Sequence, residues 1–361
     1  MKRKSKGSSL QLDLLNNTEN ATTHVWSPPQ RSIRSNHLSP AKVTAVYDAY
    51  WYFAFERQNI FFNRINRTNG PWTRDPILSE FKFTNAYRAA DRVSQYLIRH
   101  VIYRDDLPNN AGEIFFRIIL FKLFNKIETW ERLERDLGPL VFEDYDFDAY
   151  DAVLMSLKAA GNSIYSGAYI MHPGSSAFQK KFKHQNHLKL LELMMAEELP
   201  DRIADTRRMQ DGFELLLEYP TIGDFLAYQF VTDLNYSELT DYSEMEFVVP
   251  GPGALDGIKK CFSNLGGLNT AEIIRFVADI QEQEFERLEL DFQNLWGRRL
   301  QLIDCQNLFC EISKYSRVSH PHISGTSDRK RIKQKFSEND KPIEYWFPPK
   351  WGITTGGSDE V

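Results

Sequence analysis

The sequence predicts an all-α fold, on three observations. Apolar and aromatic side chains recur at three- and four-residue spacing through most of the chain. The two-residue alternation of a half-buried strand is nearly absent. Helix-start and helix-stop residues fall at the edges of the periodic stretches, as with Ser39 before Pro40 and with Gly161.

Taken in order, residues 1 to about 37 are polar and rich in Ser, Asn, Thr and Arg, the composition of a disordered leader. Ser39 as N-cap and Pro40 at the first helical position open a helix whose aromatic stripe runs to Ile65. Asn69-Gly70-Pro71 marks a loop. A second helix is predicted from Ser79 or Thr84 to Tyr103, a third over 110–126 and a fourth from Thr129. The stretch 142–161 reads as a helix stopped by Gly161, and 184–199 is strongly periodic. Residues 221–234 carry a capping-box spacing, Thr221 to Asp224. Helices are expected again over 270–293 and through "LQLIDCQNLFCEISKYSRV". The helical domain is drawn from 38 to 317, and 318–361 reads as an irregular basic and aromatic tail docked through Tyr345, Trp346 and Phe347.

The chain has 361 residues, 42% hydrophobic and 13% aromatic, enough for a large core. It has no apolar run long enough to span a bilayer, and its basic N-terminus lacks the apolar core of a secretory signal. Cys261, Cys305 and Cys310 form neither a disulfide framework nor a zinc knuckle, and a reducing cytoplasm is expected. A net charge of −5 excludes a general polyanion binder, so any nucleic-acid contact must be local.

The segment "VVPGPGALDGIKKCF" puts a rigid glycine turn before a helix. It does not fit the nucleoside triphosphate loop GxxxxGK[ST], because the glycine spacing differs and a cysteine follows Lys259-Lys260. A plain interhelical turn and a helix-hairpin-helix both remain open. In the second, Gly251 and Gly253 let the backbone approach a phosphate, the helix N-terminus supplies free N–H groups, and Lys259 and Lys260 add cations.

Two polar stripes follow the same 0, +3, +7, +10 spacing. Asp304, Asn307, Glu311 and Lys314 form one, after apolar Leu300, Leu302 and Ile303. Asn85, Arg88, Arg92 and Gln95 form the other. Glu56 and Arg57 lie among the aromatics of the first helix, where unpartnered charge is costly. Solvated helix faces with one structural ion pair would explain these residues. So would a pocket in which arginines grip phosphate oxygens.

The turn, followed by an apolar stretch and an aspartate at a helix start, is similar to DNA glycosylases, although residues 263–299 make the intervening segment much longer. Five segments together, "YWYFAFERQNIFFNRI", "PWTRDPILSEFKFTNAYRAADRVSQYLI", "YPTIGDFLAYQFVTDLNYS", "VVPGPGALDGIKKCF" and "LQLIDCQNLFCEISKY", cover most of 45–317. They resemble the α-glutamyl/putrescinyl-thymine pyrophosphorylase family, the helical domain found with 5-hydroxymethyldeoxyuridine DNA kinases. The resemblance implies a glycosylase-like helical fold acting on DNA. A thymine-like base carrying a phosphate- or pyrophosphate-activated 5-hydroxymethyl group is taken out of the stack. An amine, from an amino acid or polyamine, then displaces the phosphate. In that reading Asp304 serves the amine or the electron-poor intermediate, with Glu311 and Lys314 organising it. Arg57, Arg88 and Arg92 bind the leaving phosphate, and Asn85 and Gln95 read the base edge. A separate kinase prepares the DNA, and no cofactor is expected.

Excision of oxidised thymine shares the turn and Asp304. A non-catalytic helical module that binds DNA or docks a kinase is the third reading. His184 and His187 stand at i and i+3 without a matching third ligand, and the pair at 320 and 322 falls in the tail, so no metal is expected.

Overall fold

The computed structural model describes residues 41–66, 70–167, 171–337 and 345–354. The leader and the expected cap at Ser39–Pro40 lie outside the described residues. In chain order the first elements are β1 (Lys42–Val43), α1 (Ala45–Ile65), α2 (Pro76–Glu80), α3 (Arg92–Tyr96), α4 (Ala111–Phe124), α5 (Ile127–Leu137), α6 (Phe147–Ala159) and α7 (Ser175–Phe178). There follow α8 (Lys183–Ala196), α9 (Leu199–Ala204), α10 (Met209–Leu217), α11 (Asp224–Leu234), α12 (Pro252–Cys261), β2 (Phe262–Asn264), α13 (Thr270–Asp279), α14 (Gln281–Arg287) and α15 (Leu302–Ser319). The fold is all-α, and the described strands are one short antiparallel pair, β1 with β2.

Contacts divide the chain into two compact units with interleaved segments. The first takes in the chain up to Arg88, Pro250–Glu344 and the end from Ile353; the second is Ala89–Val249 with Tyr345–Gly352. Among the described residues, no helix is long and apolar enough to cross a membrane.

In the first unit α1 starts at Ala45, capped by Thr44, whose Oγ1 accepts from the Val46 N–H at 3.1 Å and donates to the Lys260 carbonyl at 2.5 Å. The described helix thus begins after β1. The aromatic stripe of α1 is buried, with Tyr47, Tyr50, Trp51 and Phe53 in the core. Glu56 accepts from the Thr73 hydroxyl at 2.5 Å, and Arg57 reaches Thr84 and Asn85.

In this unit α12 and α15 approach closely. A Cβ on Gly257 would lie 1.9 Å from the Phe309 carbonyl oxygen, and one on Gly253 would lie 2.8 Å from the Cys310 sulfur. Gly253 therefore serves helix packing, where a phosphate approach had been expected. Neither glycine has positive φ; what each position requires is the missing side chain. Next to Gly257, Asp256 accepts from the Ser313 hydroxyl and pairs with Lys260 at 3.4 Å. Burial pushes the Asp256 carboxyl up, but bonds from Ser313, the Ser327 N–H and Lys260 outweigh it and leave it below the usual range.

In the second unit α4 is buried on nearly every side, through Phe115, Phe116, Ile118, Ile119 and Leu120. Asn110 caps α4 by accepting from the Glu113 N–H, and Asn125 ends it in the left-handed region at φ 49°. Its buried charges are partnered: Arg117 donates to the Val101 and Pro108 carbonyls, and Lys122 pairs with Asp233 at 3.1 Å. The tail docks here through Trp346, Phe347 and Trp351: Trp346 packs on Tyr103 and Trp351 on Tyr236.

Three expected elements differ. The helix over 79–103 is in pieces: α2, an irregular stretch, a 3-10 turn at Arg88–Ala90, α3, and a π-type turn over Leu97–Ile102. The helix over 270–293 breaks at Ile280 into α13 and α14, and the chain from Leu288 to Gln301 is irregular. Thr221 does not cap α11, because it adopts φ 74° and Gly223 occupies the cap position.

Gly257→Ala is expected to destabilise the chain by about 3 kcal/mol through overpacking against the Phe309 backbone. Gly223→Ala, where a Cβ meets open space at the N-cap of α11, should cost no more than about 1 kcal/mol. Urea unfolding of both variants checks the contrast.

Candidate functional site

Asp304, Glu311 and Lys314 share one face of α15, as the spacing predicts, and that face meets residues 82–88 of the same unit. Asp304 stands at the third position of α15. One carboxylate oxygen accepts from the Gln301 N–H at 2.9 Å and the other from the Arg88 N–H at 2.7 Å. Glu311 accepts from the Thr84 N–H at 3.0 Å. Lys314 pairs with Glu311 at 2.8 Å, donates to the Lys82 carbonyl at 2.8 Å and lies over the Phe83 ring at 4.5 Å. From α1, Arg57 donates to the Thr84 carbonyl at 2.8 Å and to Asn85 Oδ1 at 2.7 Å. Tyr87 donates to the Arg298 carbonyl and accepts from the Leu295 N–H. Burial first, then the nearby Asp304 carboxylate, push the Tyr87 phenol well up.

These bonds explain why 81–87 is not helical: its polar backbone atoms are taken by side chains of α1 and α15. They also revise several expected roles. Asp304 is 4% exposed and both its oxygens hold backbone N–H groups, so in this geometry it positions the chain and does not face an open cleft. Arg88 is likewise buried. Arg57 and Asn85 lie together, half-buried. Arg92 and Gln95 belong to the other unit. Arg92 is exposed, 4.0 Å from Glu128. Gln95 has both amide atoms on the Trp346 backbone, at 2.6 and 3.0 Å, which uses the groups expected to read a base.

At the glycine turn, Gly251 is the N-cap of α12 and Pro252 its first residue, while 235–251 before it is irregular. Lys259 is exposed. Lys260 is 3% exposed, paired with Asp256 and donating to the Ser313 carbonyl, so it is withdrawn from any DNA backbone. Burial also pushes the Cys310 thiol up to about 12, which removes it as a nucleophile near neutral pH.

The irregular stretch after α14 forms a cavity of about 270 Å³ that sequence reasoning missed. Phe285 and Phe292 stack at 4.1 Å along it, and Glu282, Glu286, Asp291 and Arg299 line it. Gln281, also in its wall, accepts from the Leu300 N–H and donates to the Leu300 carbonyl, one residue before the α15 cap. The clustering of Glu282, Glu286 and Asp291 around two phenylalanines was the available signal, hidden by the expectation of one continuous helix.

The model of a family described as "5-hmdU DNA kinase, helical domain" matches residues 44–325. The chain belongs to that family. Over 311 residues the chain is 27% identical to the 5-hmdU DNA kinase of Bacillus phage SP10, an alignment covering 80% of this chain and 48% of that protein. The chain thus spans about half the length of this curated relative. No solved structure matches.

In the second unit His184 bonds Asp151 at 2.6 Å, and His187 bonds Tyr165 and the His172 carbonyl, each at 2.8 Å. Among the described residues no group of three His, Cys, Asp or Glu side chains could hold a metal ion. Burial lowers the His187 imidazole to about 4.

Two outcomes follow. Asp304→Asn should lose about 1.5–3 kcal/mol in urea unfolding without any DNA present, because a charge-assisted acceptor of two backbone N–H groups is removed. Unchanged stability would contradict the positioning role. For His187, the unfolded chain takes up a proton below about 6.5 while the folded chain resists to about 4. Its contribution is therefore complete above pH 6.5 and lost as pH falls toward 4, by about 3 kcal/mol. His187→Gln should flatten that part of the stability–pH curve.

Proposed function

We propose that the helical domain acts on 5-hydroxymethyluracil in DNA after a kinase has phosphorylated the hydroxymethyl oxygen, and replaces the phosphate with an amine. The observation that carries this reading is the family match over 44–325. The C–O bond breaks with its electron pair leaving on phosphate, the amine nitrogen bonds the methylene carbon, and the ammonium gives its extra proton to a base. The cavity supports the amine assignment: Glu286 and Asp291 attract a cationic amine, Glu282 being paired with Arg299 at 3.0 Å, and Phe285 and Phe292 offer apolar surface. Arg57 with Asn85 is the pair best placed for the leaving phosphate. Gly251 is buried and Gly253 packs on Cys310, so on α12 the exposed Pro252 and Lys259 meet the DNA backbone. In this reading Asp304, Glu311 and Lys314 act by fixing residues 82–88 beside Arg57.

A second reading, a non-catalytic DNA-binding partner of the kinase, is favoured by the full use of the Asp304 carboxylate within the fold. Mass spectrometry of nucleosides from kinase-treated 5-hydroxymethyluracil DNA, incubated with this chain and a polyamine or amino acid, separates the readings. Amine-substituted thymine is the expected product. Abasic sites would indicate excision, and recovery of the phosphorylated nucleoside alone would leave the binding role. Where product forms, the double variant Glu286→Gln, Asp291→Asn should raise the amine KM about tenfold, the effect of roughly 1.4 kcal/mol of lost binding.

A further inference from the structure

Residues 325–336 carry Arg329, Lys330, Arg331, Lys333 and Lys335, five cations within seven residues of a chain whose net charge is −5. All five are exposed. A charge run of this kind is ordinarily a solvated tail, but this one is moored to the first unit along its length. At its start the Ser327 N–H donates to Asp256 Oδ1 at 2.7 Å, and the Thr326 hydroxyl donates to the same oxygen at 3.3 Å. In its middle Ile332 is buried, and Arg317 donates to the Arg331 carbonyl at 3.3 Å. At its end the Lys82 N–H donates to the Gln334 carbonyl at 3.0 Å, the Phe336 N–H donates to the Glu80 carbonyl at 2.9 Å, and Lys335 bridges to Phe81.

The charges are patterned as well as numerous. Arg329, Arg331, Lys333 and Lys335 stand at alternate positions, with Ile332 turned inward between two of them. In extended chain, alternate residues share a face and repeat every ~6.6 Å. Lys335 also pairs with Glu80. Among the described residues no carboxylate stands within 4.0 Å of Arg329, Lys330, Arg331 or Lys333. Fixing like charges in a row costs repulsion that a polyanion relieves, and a moored chain loses little entropy on binding. Phe336, 42% exposed, places one aromatic ring beside the row.

We propose that this arm is a contact for the phosphate backbone of DNA, pinned by Asp256 to the same helix, α12, that carries the glycine turn. It rests on the reading of DNA as the substrate. The family match ends at residue 325, so the arm's role is argued from its geometry alone.

The test is fluorescence anisotropy of a labelled duplex against salt concentration, with the full chain and with the variant Arg329→Gln, Lys330→Gln, Arg331→Gln, Lys333→Gln. Ile332 and all the mooring groups are kept, and a melting curve confirms folding. Each phosphate contact contributes roughly 0.9 to the slope of log K against log salt, so the slope should fall by roughly 2 to 4. Arg329→Lys with Arg331→Lys should keep the slope. An unchanged slope in the glutamine variant overturns the proposal. So does arm-dependent binding to phosphatidylserine vesicles with DNA binding unaffected, which would make the arm a lipid contact. If the slope falls but the wild-type chain forms no amine-substituted base, the arm stands and the proposed base chemistry falls. If product forms and the slope does not change, the reverse holds.

Discussion

The crossing of α12 over α15 fixes the rest of the first unit. Two glycines one turn apart, Gly253 and Gly257, bring the α12 backbone against the Cys310 side chain and the Phe309 backbone, with no side chain of α12 between them. Asp256 and Lys260 then tie the same two helices through Ser313. With α15 held on that side, its other polar face, Asp304, Glu311 and Lys314, is aimed at residues 82–88. The mooring of the basic arm at Asp256 uses the same crossing.

The charged residues of this face act by organising backbone. Leaving the buried N–H groups of Thr84 and Arg88 without acceptors would cost about 1–3 kcal/mol each. Glu311 and Asp304 remove that cost, and Arg57 and Lys314 do the same for the carbonyls of Thr84 and Lys82. An irregular segment is thereby held firmly enough to present Asn85 and Arg57 side by side. The carboxylate-lined cavity after α14 is built by the same unit, through Gln281 and its bonds to Leu300.

Much of this was legible in the sequence. Helical spacing located α1, α4, α8 and α15, and the face shared by Asp304, Glu311 and Lys314 follows from 3.6-residue geometry alone. The expected pocket of arginines gripping phosphate did not anticipate that Arg57 and the α15 carboxylates would bond the backbone of residues 84–88. What spacing does not reveal is which group takes a hydrogen bond. Thr84 and Arg88 lie in a segment whose periodicity is helical, yet their N–H groups bond to carboxylates more than 200 positions later. Gln95 was placed with Arg88 by the same false helix and instead holds Trp346. Lys260 reads like Lys259 in one dimension, but only packing against α15 shows that one ammonium is buried and the other exposed. Gly253 likewise reads as a turn glycine until Cys310 is seen against it.

The central claim is that the polar face of α15 fastens residues 82–88 by their backbone. Native-state hydrogen exchange at the Thr84 and Arg88 amides measures this most directly. Protection near that of the α1 and α15 core amides is predicted, falling at Thr84 when Glu311 is changed to Gln and at Arg88 when Asp304 is changed to Asn. Exchange at the rate of an open loop in the unaltered chain would contradict the account.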